Sequence, residues 1–223
     1  MCTLSFLPIP NHQGFIMTSN RDESVNRPTI PPKIYEEKGV ELCFPMDEVA
    51  GGTWIGSSSQ KRLVCLMNGG FKAHERQPKY RMSRGLVVKG LLLTPEKGEV
   101  FLKDFNLKDI EPFTIVNVEW KTKLHVLQLV WDGNKKHFEE LPIQPRIWSA
   151  SMLYSEETKK ERKKLFKAFL DGKTLENTED FRKKVINFHR GLTIDRGELK
   201  TTSITQFAFK KDYGAMFYEN LLE

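Results

Sequence analysis

The stretch Met1–Glu23, MCTLSFLPIPNHQGFIMTSNRDE, holds the two features from which the rest of the chain is read. A cysteine directly follows Met1, and an apolar, strand-like segment runs into Asn20, Arg21, Asp22 and Glu23. Thr3–Ile9 alternates as a strand does, Asn11–Gly14 (NHQG) reads as a turn, and Phe15–Ser19 as its returning partner. Such a hairpin brings the tetrapeptide back beside Cys2. Removal of Met1 is expected beside so small a side chain. Cys2 would then carry a thiol and an α-amine of reference pKa about 8, a nucleophile and a base on one residue. Arg21 is a cation of the kind that lowers a thiol pKa, Asp22 an acceptor for the amine, and Asn20 a brace for the turn. The same residues also read as a packed cysteine followed by a charged surface turn.

The chain has 223 residues, of which 39% are hydrophobic and 29% charged, enough for the core of one domain spanning 1–223. No apolar run reaches the roughly 18–20 residues of a membrane span; the best candidate, Gly85–Leu93, carries Lys89. No basic region precedes the apolar start, and Pro8 and Pro10 interrupt it, so a secretory signal is not expected and the location is read as cytoplasmic. Cys2, Cys43 and Cys65 include no Cys-x-x-Cys pair, which argues against a disulfide framework or a zinc knuckle. Cys43 and Cys65 read as small core residues on strands. The net charge is +6. The run Lys159–Lys164 (KKERKK) is followed by Leu165, Phe166, Phe169 and Leu170 at helical spacing, so it reads as a solvated helix face and not as a nucleic-acid site.

Along the chain, Ser24–Lys33 is proline-rich and reads as irregular or extended coil. Gly51–Gly56 (GGTWIG) enters a strand, and Arg62–Asn68 returns from it. Helices are expected over about 83–93, 95–105, 155–170 and 178–189, the last with Phe181, Val185 and Phe188 on one face. Strands are expected at 113–118, 124–131, 136–141, 145–150, 203–209 and 215–218, with Asp132-Gly133 as a hairpin turn. The order of elements implies an α+β domain of two antiparallel sheets with an outer helical layer on each.

Met1-Cys2, then Asn20-Arg21-Asp22-Glu23 with Arg27-Pro28, then GGTWIG, resembles the NRDE family, whose eukaryotic member is known for transport and Golgi organisation. Asn68 and Arg84-Gly85-Leu86-Val87 extend the resemblance, which covers about the first 90 residues. It implies a four-layer αββα N-terminal-nucleophile hydrolase fold, similar to cysteine amidases such as bile-salt hydrolases and penicillin V acylases. By resemblance Cys2 is the nucleophile, Arg21 and Asp22 its supporting pair, and Asn68 an oxyanion donor. Asn20, Trp54, Arg84 and Ser149 are the corresponding substrate-binding candidates. Ser149-Ala150 stands where relatives show Ser-Asn, and Lys200 stands near the place of an arginine. The expected activity is hydrolysis of a non-peptide amide, with a small-molecule substrate and no cofactor or metal.

The alternative reading is a non-catalytic carrier of haem or of an acyl or other hydrophobic ligand, since eukaryotic family members are implicated in haem trafficking and lipid metabolism. Under it Cys2, His12 or His74 would ligate iron, although no Cys-Pro or Cys-x-x-Cys-His motif is present. Neither reading involves nucleic acid or a membrane span, and the oligomeric state is left open.

Overall fold

The computed structural model describes residues 3–10 and 14–222; Cys2 and His12 lie outside them. The chain divides into two compact units, one formed by Met1–Asn26 with Gln144–Glu223 and the other by Arg27–Ile143. Among the described residues each unit contains one antiparallel sheet and two helices.

The first unit begins with β1 (Thr3–Ile9) and β2 (Gly14–Ser24). The second unit follows as β3 (Thr29–Glu37), β4 (Val40–Asp47), β5 (Ile55–Ser58), β6 (Arg62–Asn68), α1 (Arg84–Leu93) and α2 (Gly98–Asp104). It ends with β7 (Phe113–Glu119), β8 (His125–Trp131) and β9 (Lys136–Leu141). The chain then returns to the first unit as β10 (Arg146–Ser149), α3 (Glu156–Leu170) and α4 (Glu179–Arg190), closing with β11 (Asp195–Arg196), β12 (Leu199–Lys210) and β13 (Tyr213–Asn220).

The second unit is a meander in the order β3-β4-β5-β6-β7-β8-β9. Val87, Val88, Leu91 and Leu92 of α1 bury the helix against Leu42, Phe44, Val64 and Ile115 of the sheet. Ser83 caps α1 by accepting from the Gly85 N–H. At its other end a fully buried arginine replaces a cap: Arg62 donates to the carbonyls of Leu91, Thr94 and Glu96 and pairs with Glu119. Glu119 in turn accepts from the Gly98 N–H at the start of α2, so one ion pair fixes the end of one helix and the beginning of the next.

The proline-rich segment is where the structure departs from the sequence reading. Thr29–Glu37 is a strand, and Pro31 and Pro32 fall where the β3–β4 register shifts between Ile30 and Lys33. β3 is an edge strand, so the missing proline N–H groups cost no second ladder. Cys43 also departs from expectation, being only half-buried on β4, whereas Cys65 is fully buried as expected.

Two of the sequence motifs meet in this unit. A Cβ on Gly52 would lie 2.7 Å from the Gly85 carbonyl carbon, and one on Gly85 would lie 2.8 Å from the Thr53 nitrogen. Backbone presses on backbone, which only glycine on both sides permits. Gly52→Ala and Gly85→Ala are therefore each expected to lose about 1–3 kcal/mol in urea unfolding. The double variant should lose less than the sum of the two, because one displacement relieves both clashes.

Candidate functional site

The first unit's sheet runs β10-β1-β2-β12-β11, with β13 also on β12. β2 is thus flanked on both sides, by β1 with Thr3 opposite Asn20 and by β12 with Thr201 opposite Asp22. The tetrapeptide does not end the strand. β2 continues to Ser24, and Asn20, Arg21 and Asp22 are all buried within it. Burying three such polar residues in a central strand is sustainable only if each finds partners.

Alternation along the strands sorts those partners by face. Leu7 and Ile9 of β1, Ile16 of β2 and Ala208 of β12 pack on Phe166 of α3 and on Phe181 and Val185 of α4. Thr3, Ser5, Asn20 and Asp22 share that helix-covered face and form its polar end. Asp22 accepts hydrogen bonds from the hydroxyls of Tyr154 and Thr201, each at 2.6 Å. Thr201 Oγ1 itself accepts from the Ile194 N–H at 2.9 Å. The guanidinium of Arg162 lies 3.8 Å from the centroid of the Tyr154 ring. It donates to Thr3 Oγ1 and, at 2.8 Å, to the Leu192 carbonyl.

Asn20 is held by α4 at two points. Its Nδ2 donates to the His189 carbonyl at 3.0 Å, and its Oδ1 lies 2.6 Å from His189 Nδ1. An amide oxygen can only accept, so Nδ1 carries the proton. Burial, reinforced by the nearby charge of Arg162, pushes the His189 pKa down to about 3, so the ring is neutral and Nε2 is an acceptor. Ser5 Oγ, 2.7 Å away, must therefore donate to it. The resulting Ser5–His189–Asn20 chain is fully buried and cross-links β1, β2 and the last turn of α4.

Arg21 follows a different course, as the strand pleat requires for adjacent residues. It pairs with Ser203 across β12, where a register shift between Thr201 and Ser203 leaves Thr202 unpaired. The Thr202 hydroxyl donates to the Arg21 carbonyl at 3.1 Å and accepts from Arg21 Nη1 at 3.4 Å. Ser149 ends β10 opposite Thr3. Of the sequence candidates, Asn20, Arg21, Asp22 and Ser149 thus gather around the start of β1. An open cleft of about 470 Å³ adjoins them, lined by Thr201, Ile194, Arg190, Lys200, Leu221 and Leu222.

The remaining candidates belong to the second unit. Asn68 ends β6, and Trp54 is buried just before β5, its carbonyl accepting from the Leu66 N–H. Arg84 opens α1 and pairs at 3.1 Å with Glu111, which also holds Arg76 and faces His74. Burial alone would raise the Glu111 carboxyl. The hydrogen bond from Arg76 and the charges of Arg84, Arg76 and His74 outweigh it and keep the pKa below the usual carboxylate range.

His189, Arg162, Tyr154 and Thr201 were not singled out from the sequence. His189 follows Phe181 and Val185 at steps of four on the buried stripe of α4, and Arg162 stands four before Phe166 inside the lysine-rich run. Helical spacing was the available signal in both cases. The run is solvated on the whole, but Arg162 is its buried exception.

The family model described as Transport and Golgi organisation 2 matches residues 1–216. The chain belongs to that family. No curated protein matches it in sequence. Among solved structures, this member of the Transport and Golgi organisation 2 family is similar to a Caenorhabditis elegans ortholog of N-acylethanolamine-hydrolyzing acid amidase. The TM-score is 0.64 at 12% identity, with 97% of this chain and 100% of that one covered. It is also similar to a variant of conjugated bile acid hydrolase from Clostridium perfringens, at TM-score 0.55 and 9% identity over 99% and 92% of the two chains. Penicillin V acylase from Agrobacterium tumefaciens gives 0.52 at 10% identity over 99% and 86%. At such identities the likeness establishes the fold, that of N-terminal-nucleophile amidases, and the family member's chemistry has to be argued from its own residues.

Two outcomes test the buried network. His189 has its folded pKa depressed from 6.5 to about 3, so its contribution is intact above about pH 6.5 and is lost as pH falls toward 3. The unfolding free energy of wild type from urea titrations should fall by up to about 1.4 kcal/mol per pH unit in that window. His189→Gln should be less stable at neutral pH but flatter with acid; parallel slopes would count against a buried neutral ring. Tyr154→Phe, which takes one donor from Asp22, should cost about 1–3 kcal/mol at neutral pH.

Proposed function

We propose that the chain is a cysteine amidase of the N-terminal-nucleophile type, with Cys2 as its nucleophile once Met1 is removed. The observation that carries the reading is the buried polar frame at the start of β1: Thr3, the residue next to Cys2, is gripped by Arg162 and lies opposite Asn20. A terminal nucleophile needs such a frame, because a chain end is otherwise mobile. The fold shared with amidases over nearly the whole chain supports the same reading.

In the proposed reaction, Cys2 Sγ attacks the acyl carbon of an amide while its proton passes to the α-amine. The amine hands that proton to the leaving nitrogen as the C–N bond breaks, which leaves an acyl thioester. Water then attacks the thioester, gives up a proton through the same amine, and releases the carboxylic acid and the free thiol. Arg21 favours the thiolate, and Asp22, fixed by Tyr154 and Thr201, is a stationary anchor near the terminus. The oxyanion role that the family resemblance gives to Asn68 belongs to the same proposal; a donor of that kind is worth about 3–4 kcal/mol of barrier.

The two other thiols are poor competitors. Burial and the charge of Glu41 raise the Cys43 pKa, and Cys65 is fully buried. Intact mass of cell-purified protein should show loss of Met1, and iodoacetamide at neutral pH should alkylate Cys2 well before Cys43 or Cys65. Incubation with N-acyl amides should leave an acyl adduct on Cys2 that is absent from Cys2→Ala. Retained Met1, or a Cys2 no more reactive than a peptide thiol, would overturn the proposal in favour of a carrier.

A further inference from the structure

Residues 69–83, between β6 and α1, form neither helix nor strand, and connections of that length in a compact unit are uncommon without a function. Phe71–Arg84 carries five Lys/Arg (Lys72, Arg76, Lys79, Arg81 and Arg84) against the single acid Glu75. The other basic segment of the chain, residues 155–190, spreads eleven Lys/Arg among seven Asp/Glu over a stretch more than twice as long. On α3 and α4, Lys159, Lys183 and Lys184 each pair with an acidic residue three or four positions before them.

The connection is long but well tethered. The Arg81 N–H donates to the Asp109 carbonyl at 2.7 Å, and its guanidinium donates to the carbonyls of Lys108 and Asn106. Glu111 holds Arg76 and Arg84 at the base, and the Tyr80 hydroxyl accepts from the Gln77 N–H at 2.9 Å. What this platform presents is charge and one large apolar side chain. Lys72, Arg76, Lys79 and Arg81 are exposed, and Phe71 is 60% exposed, its ring in T-shaped contact with that of His137 at 4.9 Å.

We infer that this connection docks the protein peripherally on a bilayer carrying anionic lipid, with Phe71 entering the headgroup boundary and the cations facing the headgroups. Stable attachment to a membrane takes two signals, and an exposed aromatic beside a polybasic cluster supplies both. A single-stranded nucleic acid would require several aromatic faces for successive bases, whereas Phe71 is the one large exposed ring here and the Tyr80 hydroxyl is tied to the backbone. A protein partner would require an apolar core wider than one phenylalanine. No helix among the described residues is long and apolar enough to cross the bilayer, so the contact is superficial.

The test is flotation of the full chain with phosphatidylcholine vesicles, alone or with about one-third phosphatidylserine. Binding is expected only to the anionic vesicles and should weaken as salt rises and the Debye length shrinks below about 10 Å. Each cation near such a surface is worth about fivefold in partitioning, so Lys72→Gln with Lys79→Gln should lower it about 25-fold. Phe71→Ser should lower it further, while Lys163→Gln with Lys164→Gln on α3 should leave it unchanged. Thermal unfolding of the four proteins should coincide, since all the substituted residues are exposed. Equal binding to neutral vesicles, equal loss in the α3 variant, no loss in the loop variants, or tighter binding to a single-stranded RNA than to vesicles would overturn the inference.

Discussion

The carboxylate of Asp22 and the amide of Asn20 sit in the middle of a sheet, where water cannot reach them, and so have to be satisfied by protein alone. Their partners come from far along the chain. Tyr154 and Thr201 serve Asp22, and His189 serves Asn20 through both its ring and its carbonyl. Because Arg162 stacks on Tyr154 and also reaches Thr3, the same set of contacts orders the first residues of β1. Deleting one partner would leave a buried polar group exposed to nothing, which makes the network an all-or-none constraint on where α3 and α4 can lie over the sheet.

The second unit meets an analogous demand with charge. Arg62 is fully buried and offsets its desolvation by donating to Glu119 and to the carbonyls at the end of α1, which would otherwise lack partners. Glu111 does similar service at the start of α1, gathering Arg76 and Arg84 at the base of the long basic connection. The helix is placed by side chains at both ends and by a glycine-to-glycine contact along its first turn.

A fold shared with amidases at about a tenth identity says that the core geometry is retained while almost every side chain has changed. The chemistry therefore rests on a few positions. Histidine is a common general base, yet His189 is unsuited to that work here: its ring is buried, neutral and hydrogen-bonded on both nitrogens, although its spacing to Ser5 and Asn20 resembles a hydrolase triad. It holds strands together. Under the proposed amidase reading, the base for Cys2 is accordingly the α-amine of the terminus itself.

The sequence by itself determined what depends on neighbouring residues. The helix starts near Ser83, Ser155 and Thr178 and the turn at Asp132-Gly133 were legible because backbone groups within a few residues decide them. The hairpin of β1 and β2 and the family motifs were legible for the same reason. Only the tertiary structure decided that Asn20–Glu23 continues a strand, that Pro31-Pro32 can occupy an edge, and that Arg162 and His189 turn inward. Polarity in the sequence pointed Asn20–Glu23 and Arg162 outward, and proline pointed residues 31 and 32 to coil. Their partners lie up to 184 positions away, and a polar side chain is buried or exposed according to whether such a partner arrives, which its own polarity does not record.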